Sequence, residues 1–413
     1  MFSSMMAACR STEIAPRGSQ GTRPRGPLLR IVHVAPNIAR AFGGPTEAIA
    51  GWARAAAVAG HDVKVLAPHV ADEELAWFRR QATGVQVSTF PLRGRPPLLV
   101  TPGLYRRILR EADAADIVHV HGLLNLVSSL AARAAVRAGI PLVIDPFGTL
   151  SAYTFGHRHT ASKRLYFALF DRSLLPAAAA LHYYSADERA EAERMFGDKV
   201  LGRGWVVPPA IPREAETMAP RRQGKGARVL FLSRIDPKKG IETLLEAWPT
   251  VLERFPAARL IIAGGGGRDY AASVRARVLQ MGARAATIDL AGFLSGEAKR
   301  AAFAAADVFV LPSFAENFGI VVLEAMAAGL PVVITPEVQL APYVRRHGLG
   351  LITSREPGSL AEAIDTALTD TELRRRAADV APELVRRDFA LAAVERELLD
   401  MYRATLPPRV LRS

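Results

Sequence analysis

Ser313-Phe-Ala-Glu-Asn-Phe-Gly-Ile-Val-Val-Leu-Glu-Ala-Met-Ala-Ala-Gly-Leu-Pro-Val-Val333 is the stretch from which the fold of this chain is read. One apolar run, Val308–Leu311, precedes it, and another, Pro331–Ile334, closes it. The pattern is strand, turn, helix, strand: a βαβ unit whose turn carries Glu316 and whose helix carries Glu324. Eight positions make about two helical turns, so a helix that starts near Glu316 brings both carboxylates to one side. Glu324 is the only charged residue between Asn317 and Thr335. A carboxylate among apolar neighbours loses hydration unless a polar ligand meets it. Sugar and ribose hydroxyls are natural partners.

With Pro312, Phe318-Gly319, Glu324-Ala-Met-Ala327, Gly329 and Pro331 included, the stretch resembles the E-x7-E signature of retaining glycosyltransferases that use nucleotide sugars. These are enzymes of the GT-B type, in particular glycosyltransferase family 4. The resemblance implies an α/β fold of two Rossmann-like, doubly wound domains facing across a cleft, with a C-terminal helix crossing back over the first. It also implies a hexosyltransferase-type reaction in which the anomeric configuration of the donor sugar is kept.

The rest of the chain supports two such domains. Its 413 residues exceed one typical core and suit two. Strand-like runs alternate with amphipathic helical stretches, first at Ile31–Ala35, Val63–Ala67, Val85–Phe90, Ile117–His121, Leu142–Ile144 and Leu181–Tyr184. After a break near Trp205–Pro212 the alternation restarts at Val229–Ser233, Leu260–Ala263, Thr287–Leu290, Val308–Leu311, Val332–Ile334 and Gly350–Ile352. The reading is an unstructured extension over 1–28, a first domain over 29–208, a linker over 209–226, a second domain over 227–385 and a crossing helix over 386–413.

Composition removes several function classes. A single cysteine, Cys9, rules out a disulfide framework and a cysteine-rich metal site. No apolar run approaches the roughly 20 residues of a membrane span, and residues 1–28 lack the apolar segment of a secretory signal. The net charge is +13, with basic clusters at Arg79-Arg80, Arg106-Arg107 and Lys163-Arg164. They fit a solvated surface, and equally a face drawn to anionic lipid or to a lipid-linked acceptor. No recognition helix or aromatic-basic strand points to nucleic acid. The expectation is a cytoplasmic protein, peripheral at the inner membrane face, acting on a glycan or lipid-linked acceptor in cell-surface polysaccharide assembly.

Candidate site residues lie at strand ends. Ser233-Arg-Ile-Asp-Pro-Lys-Lys-Gly240 follows a strand and opens a helix, where free N–H groups and the dipole favour a diphosphate. Arg234 can grip phosphate with two N–H groups. The segment is similar to the family's R-x(3–4)-K element, which makes Arg234 and Lys239 the holders of the leaving diphosphate and leaves Lys238 to solvent. Gly43-Gly44 and the glycine run Gly264–Gly267 let backbone approach a ligand closely. By resemblance Gly43 and Gly44 form the loop over the donor phosphates, Gly264 and Gly265 the nucleotide wall, and Phe293 the base contact. Glu316 orients the sugar, the Asn317-Phe318-Gly319 amides assist it, and Glu324 holds the ribose.

His119 and His121 share one face of a strand by its period of two, and His121 ends it beside Gly122. A cleft role for His121 stands against an ordinary structural histidine. Where many relatives place a sugar-contacting His before Gly, this chain has Phe147. Arg158, His157 and His159 are candidates to replace it. No D-x-D motif occurs, so the expectation is a metal-independent reaction with no cofactor beyond the nucleotide-diphosphate sugar. A nucleotide-sugar epimerase of the same architecture is the alternative enzyme, and a non-catalytic nucleotide-sugar-binding protein the alternative without turnover.

Overall fold

A computed structural model describes residues 27–92, 103–112, 114–156, 160–198, 200–216, 218 and 227–407. Runs of Val, Ile and Leu set the first sheet: β1 (Arg30–Val34), β2 (Asp62–Pro68), β3 (Gln86–Phe90), β4 (Ile117–His121), β5 (Leu142–Asp145), β6 (Ala180–Tyr183) and β7 (Gly204–Val206). Its order is β3-β2-β1-β4-β5-β6-β7, with every pairing parallel. The second sheet holds β8 (Arg228–Leu232), β9 (Arg259–Ala263), β10 (Ile288–Gly292), β11 (Val308–Leu311), β12 (Val332–Ile334) and β13 (Gly350–Ile352). Its order is β10-β9-β8-β11-β12-β13, again parallel throughout.

Helices cover both faces, so β4, β5, β11 and β12 are buried along their whole length, as parallel strands require. Strand order reverses between β1 and β4 and again between β8 and β11, and such switch points open ligand crevices at the carboxyl ends of the strands. Every expected strand is present. The sequence reading misses β7, a three-residue edge strand too short to show a pattern.

The helix Ile320–Ala327 departs from expectation in where it starts. Gly319, at φ 88°, turns the chain into it, so the helix begins four residues after Glu316. Glu316 instead sits in a loop pinned by its N–H to Glu337 O at 3.1 Å.

After the second sheet the helix Ala381–Phe389 packs on Ile320–Ala327, and Phe389 O accepts from Ile211 N–H at 2.8 Å. The last helix, Leu391–Thr405, buries Val394, Leu398, Met401 and Tyr402 against the first-domain helix Gly44–Val58. Their spacing of four, three and one is a helical apolar stripe. The chain therefore crosses back to its first domain. Residues 1–26 lie outside the described residues, as do 217 and 219–226. Residues 213–216, inside the segment read as linker, form a short helix. Among the described residues no helix is long and apolar enough to cross a membrane.

Candidate active site

The turn after β8 is built by its own sequence. Asp236 caps the short helical turn Pro237–Lys239 by accepting Lys238 N–H at 3.0 Å, and Gly240 leaves it in the left-handed region. That geometry drives Lys239 inward to 3% exposure, where its ammonium pairs with Glu316. Burial alone pushes the Glu316 carboxyl up. The ammonium groups of Lys239 and Lys238 outweigh it and hold the group below the ordinary range. Lys238 is not left to solvent: burial, with Lys239 beside it, lowers its ammonium to about 8.

Arg234 stays exposed on the cavity wall. Among the described residues no carboxylate lies within ion-pair distance of it. Across the cleft stands Gly43, where an added Cβ would sit 3.7 Å from Arg234 Cδ. The glycine run after β9 has a definite structural task. A Cβ on Gly264 would fall 1.7 Å from Ser233 O, and one on Gly266 would fall 2.1 Å from Ile235 O. Both glycines thus let the segment that carries Arg234 lie flat against the end of β9.

Glu324, on the helix, is 2% exposed. Its partner in the cleft is Lys299, from the helix Gly296–Ala305. Burial pushes Glu324 up and Lys299 pulls it down, leaving it above the usual carboxylate value. Lys299 also faces Glu47, in the first turn of Gly44–Val58 on the opposite domain. Burial raises the Glu47 carboxyl to about 7.

These groups share one cavity of about 910 Å³ between the domains. Of the residues expected from sequence, Gly43, Gly44, Arg234, Lys239, Gly264, Gly265, Phe293, Glu316, Gly319 and Glu324 all line it. Sequence reasoning missed Lys299 and Glu47. Lys299 precedes Arg300 in an ordinary charged helix, and nothing in the pattern separates the two. Glu47 did carry a signal, following Gly43-Gly44-Pro45-Thr46 directly in the first helical turn.

The side chains of three expected residues lie elsewhere; for Asn317 and Phe318 the expectation concerned the backbone amides rather than these side chains. Asn317 turns to the first domain, where a Cβ on Gly148 would lie 2.5 Å from its Oδ1. Phe318 is 5% exposed and packs edge-on between Tyr184 and Phe389, with ring centroids 6.3 and 5.9 Å away. The expectation that His121 meets a substrate is corrected. It is wholly buried, its Nε2 2.9 Å from His33 Nδ1 and its Nδ1 3.1 Å from Asp145 Oδ2. The rings of Trp52 and Phe147 lie stacked beside it, with centroids 5.9 and 5.7 Å away. Arg158, with His157 and His159, lies outside the described residues. His33, His119 and His121 bring ring nitrogens within 4.8 Å of one another, a spacing that suits a metal. All six of their nitrogens are instead taken by hydrogen bonds of 2.9–3.4 Å to one another, to His182, Asp145 and Tyr402.

Comparison with known proteins agrees with this geometry. Residues 43–209 match the glycosyl transferase 4-like domain, and residues 213–383 match glycosyl transferases group 1. Over 180 residues the chain is 35% identical to the uncharacterized glycosyltransferase MJ1607 of Methanocaldococcus jannaschii, a match spanning 43% of this chain and 45% of that one. The phosphatidyl-myo-inositol mannosyltransferase of Mycobacterium tuberculosis is 29% identical over 392 residues, 91% of this chain and 96% of its own. Among solved structures, Anabaena Alr3699/HepE in complex with UDP-glucose superposes with a TM-score of 0.73 at 19% identity, covering 91% of this chain and 100% of that one. The chain belongs to the GT-B glycosyltransferases of family 4 and is homologous to mannosyltransferases.

Proposed function

We propose that this protein moves a sugar, with retention, from a nucleotide-diphosphate sugar to a hydroxyl of a glycan or lipid-linked acceptor in cell-surface polysaccharide synthesis. The observation that carries this reading is the convergence of Arg234, Lys239, Glu316 and Glu324 on one inter-domain cavity. Arg234 and Lys239 receive the diphosphate, joined by the free N–H groups at the start of Ile320–Ala327. Glu316 accepts hydrogen bonds from the sugar and Glu324 from the ribose. Phe293, 53% exposed on the wall beside Gly265, offers its ring to the base.

Catalysis then rests on fixed positive charge at the place where charge develops. The bond from the anomeric carbon to the phosphate oxygen breaks, and its electron pair goes to the diphosphate. The acceptor oxygen bonds to that carbon on the same face, and its proton passes to the departing phosphate oxygen. No metal or cofactor enters this scheme.

The related HepE structure contains UDP-glucose, and the mycobacterial relatives are named mannosyltransferases. Thermal-shift titration with UDP-, GDP- and ADP-sugars selects the donor. Nucleotide release that depends on acceptor, with an α-linked product from an α-linked donor, supports the reading. An isomeric nucleotide sugar formed without acceptor overturns it in favour of an epimerase.

Docking of this cytoplasmic protein at an anionic inner membrane is supported by Leu165 and Leu169, 61% and 60% exposed and one turn apart beside Arg164 and Arg172. Co-sedimentation with phosphatidylglycerol vesicles at low salt, lost in Leu165→Ser/Leu169→Ser, is the expected result.

A further inference from the structure

Beneath the cleft, the first domain carries a buried polar chain whose hydrogens can be assigned link by link. His182 Nε2 lies 2.7 Å from Val207 O. A carbonyl only accepts, so this nitrogen carries the hydrogen and His182 Nδ1 is a bare lone pair. His119 Nε2, 3.3 Å away, must donate to it. That leaves His119 Nδ1 as an acceptor, 2.9 Å from Tyr402 OH, so the tyrosine donates. The tyrosine oxygen, its hydrogen spent, accepts from His33 Nε2 at 3.4 Å. His33 Nδ1 then accepts from His121 Nε2 at 2.9 Å. The last nitrogen, His121 Nδ1, is therefore a lone pair facing Asp145 Oδ2 at 3.1 Å.

Two lone pairs cannot make this contact, so the chain needs one more proton at its end. It sits on Asp145, or on His121 as an imidazolium beside a carboxylate. All four histidines, Asp145 and Tyr402 are 0% exposed. Creating two charges there costs several kcal/mol of hydration, by order of magnitude, against none for the neutral pair. Burial likewise pushes the Asp145 carboxyl up to about 7 and the His121 imidazole down to about 3. The other titratable groups facing Asp145 are His182, Tyr184, Glu188 and Tyr402. Among them the Glu188 carboxyl is itself raised to about 8 by burial.

We propose that Asp145 is a protonated positioning residue for sugar transfer: a neutral carboxylic acid that holds the Phe147–Gly148 turn against Asn317 of the acidic loop. Its Oδ2–H donates to His121, its Oδ2 accepts from Tyr184 OH at 3.0 Å, and its Oδ1 accepts from Phe147 N–H at 2.9 Å. Phe147 is one of two non-glycine residues at positive φ among the described residues, and its 55° must be held by such bonds. Gly148 follows in the same region at φ 66° and receives Asn317 from the other domain. The same chain fastens the crossing helix through Tyr402, so the inter-domain contact and the C-terminal anchor share one network. The inference rests on the glycosyl-transfer reading only for its link to rate; the proton assignment stands without it.

The test uses the full chain labelled with 15N-histidine. Its long-range 1H–15N spectrum at pH 6 should show His33, His119, His121 and His182 neutral and protonated on Nε2, with no substrate required. Asp145→Asn, whose amide nitrogen donates to His121 in the same place though it cannot accept from Tyr184 OH, should keep that tautomer pattern and lower kcat less than Asp145→Ala does. Asp145→Ala should lower kcat roughly ten- to a hundredfold by loosening the turn while UDP or GDP affinity stays near wild type. An imidazolium or an Nδ1–H tautomer at His121 overturns the proposal. So does an Asn variant as impaired as the Ala variant, or stoichiometric zinc held through dialysis with loss of this tautomer pattern.

Discussion

The two domains bury polar groups in opposite ways. The second domain buries charge: Lys239 against Glu316, and Lys299 against Glu324, all on the cavity wall. The first buries neutral groups: four histidines, an aspartic acid and two tyrosines, joined behind the wall and closed to solvent. An ion pair at a cavity can trade its partner for a phosphate or a hydroxyl, because ligand replaces counter-ion at similar cost in hydration. A neutral chain with one hydrogen per link has no such freedom. It fixes backbone. One domain is built to exchange partners with a ligand and the other to hold a surface still.

The largest effect should come from breaking the charged side. Lys239→Met leaves Glu316 buried without its ammonium. Transfer should fall at least a thousandfold, and urea unfolding should show a loss of about 3–5 kcal/mol. Transfer within tenfold of wild type in that variant would show that Lys239 holds no diphosphate. Next is Gly264→Ala, whose Cβ meets Ser233 O at 1.7 Å. The methyl must push away the segment that carries Arg234, so kcat/KM should drop roughly a hundredfold. Unchanged kinetics would separate the glycine run from the placement of Arg234.

A smaller, graded effect separates the two domains by pH. The neutral histidines hold fewer protons folded than unfolded, so they add stability as pH rises from about 3 and 4 at His121 and His182 toward about 6.5. Glu47, Asp145 and Glu188, raised to about 7, 7 and 8, hold more protons folded. Their share of stability is full below about pH 4, the ordinary carboxyl range, and is lost from there up to those values, against the histidine gain over the same range. Above about pH 6.5 the histidine gain is complete and only the carboxyl loss remains, so unfolding free energy should fall from there to about pH 8. Asp145→Asn removes a loss that runs from about pH 4 to 7, so its profile should rise more steeply than wild type across that range. A wild-type profile that still rises from pH 7 to 8 contradicts these assignments. Smallest of all, Phe293→Ala on the exposed base wall should raise donor KM about three- to tenfold with kcat little changed.

How much of this was legible beforehand follows from range. The βαβ pattern around Glu324, the glycines and the strand runs are local signals, and they placed both sheets and most of the cavity wall. Glu316 and Glu324 were read correctly as one-sided, but for a wrong reason. Gly319 starts the helix late, and the loop bridge to Glu337–Val338 brings Glu316 round. Lys299 needed a partner 25 positions away, and His121 needed His33, 88 positions away, so neither pairing leaves a trace in neighbouring residues. His121 was open between cleft and core because its strand alternates in both cases. Distant groups decide for the core: His33, Asp145, and the rings of Trp52 and Phe147 beside it.

The most direct test of the central claim is a calorimetric titration of the preferred nucleoside diphosphate into wild type and Arg234→Ala. Arg234 is exposed and pairs with no described carboxylate, so the variant should fold with an unchanged melting temperature. The account predicts at least a hundredfold weaker binding, about 2.7 kcal/mol, together with loss of transfer. Equal affinity in a folded Arg234→Ala protein would contradict it, because the cavity would then hold its diphosphate somewhere else.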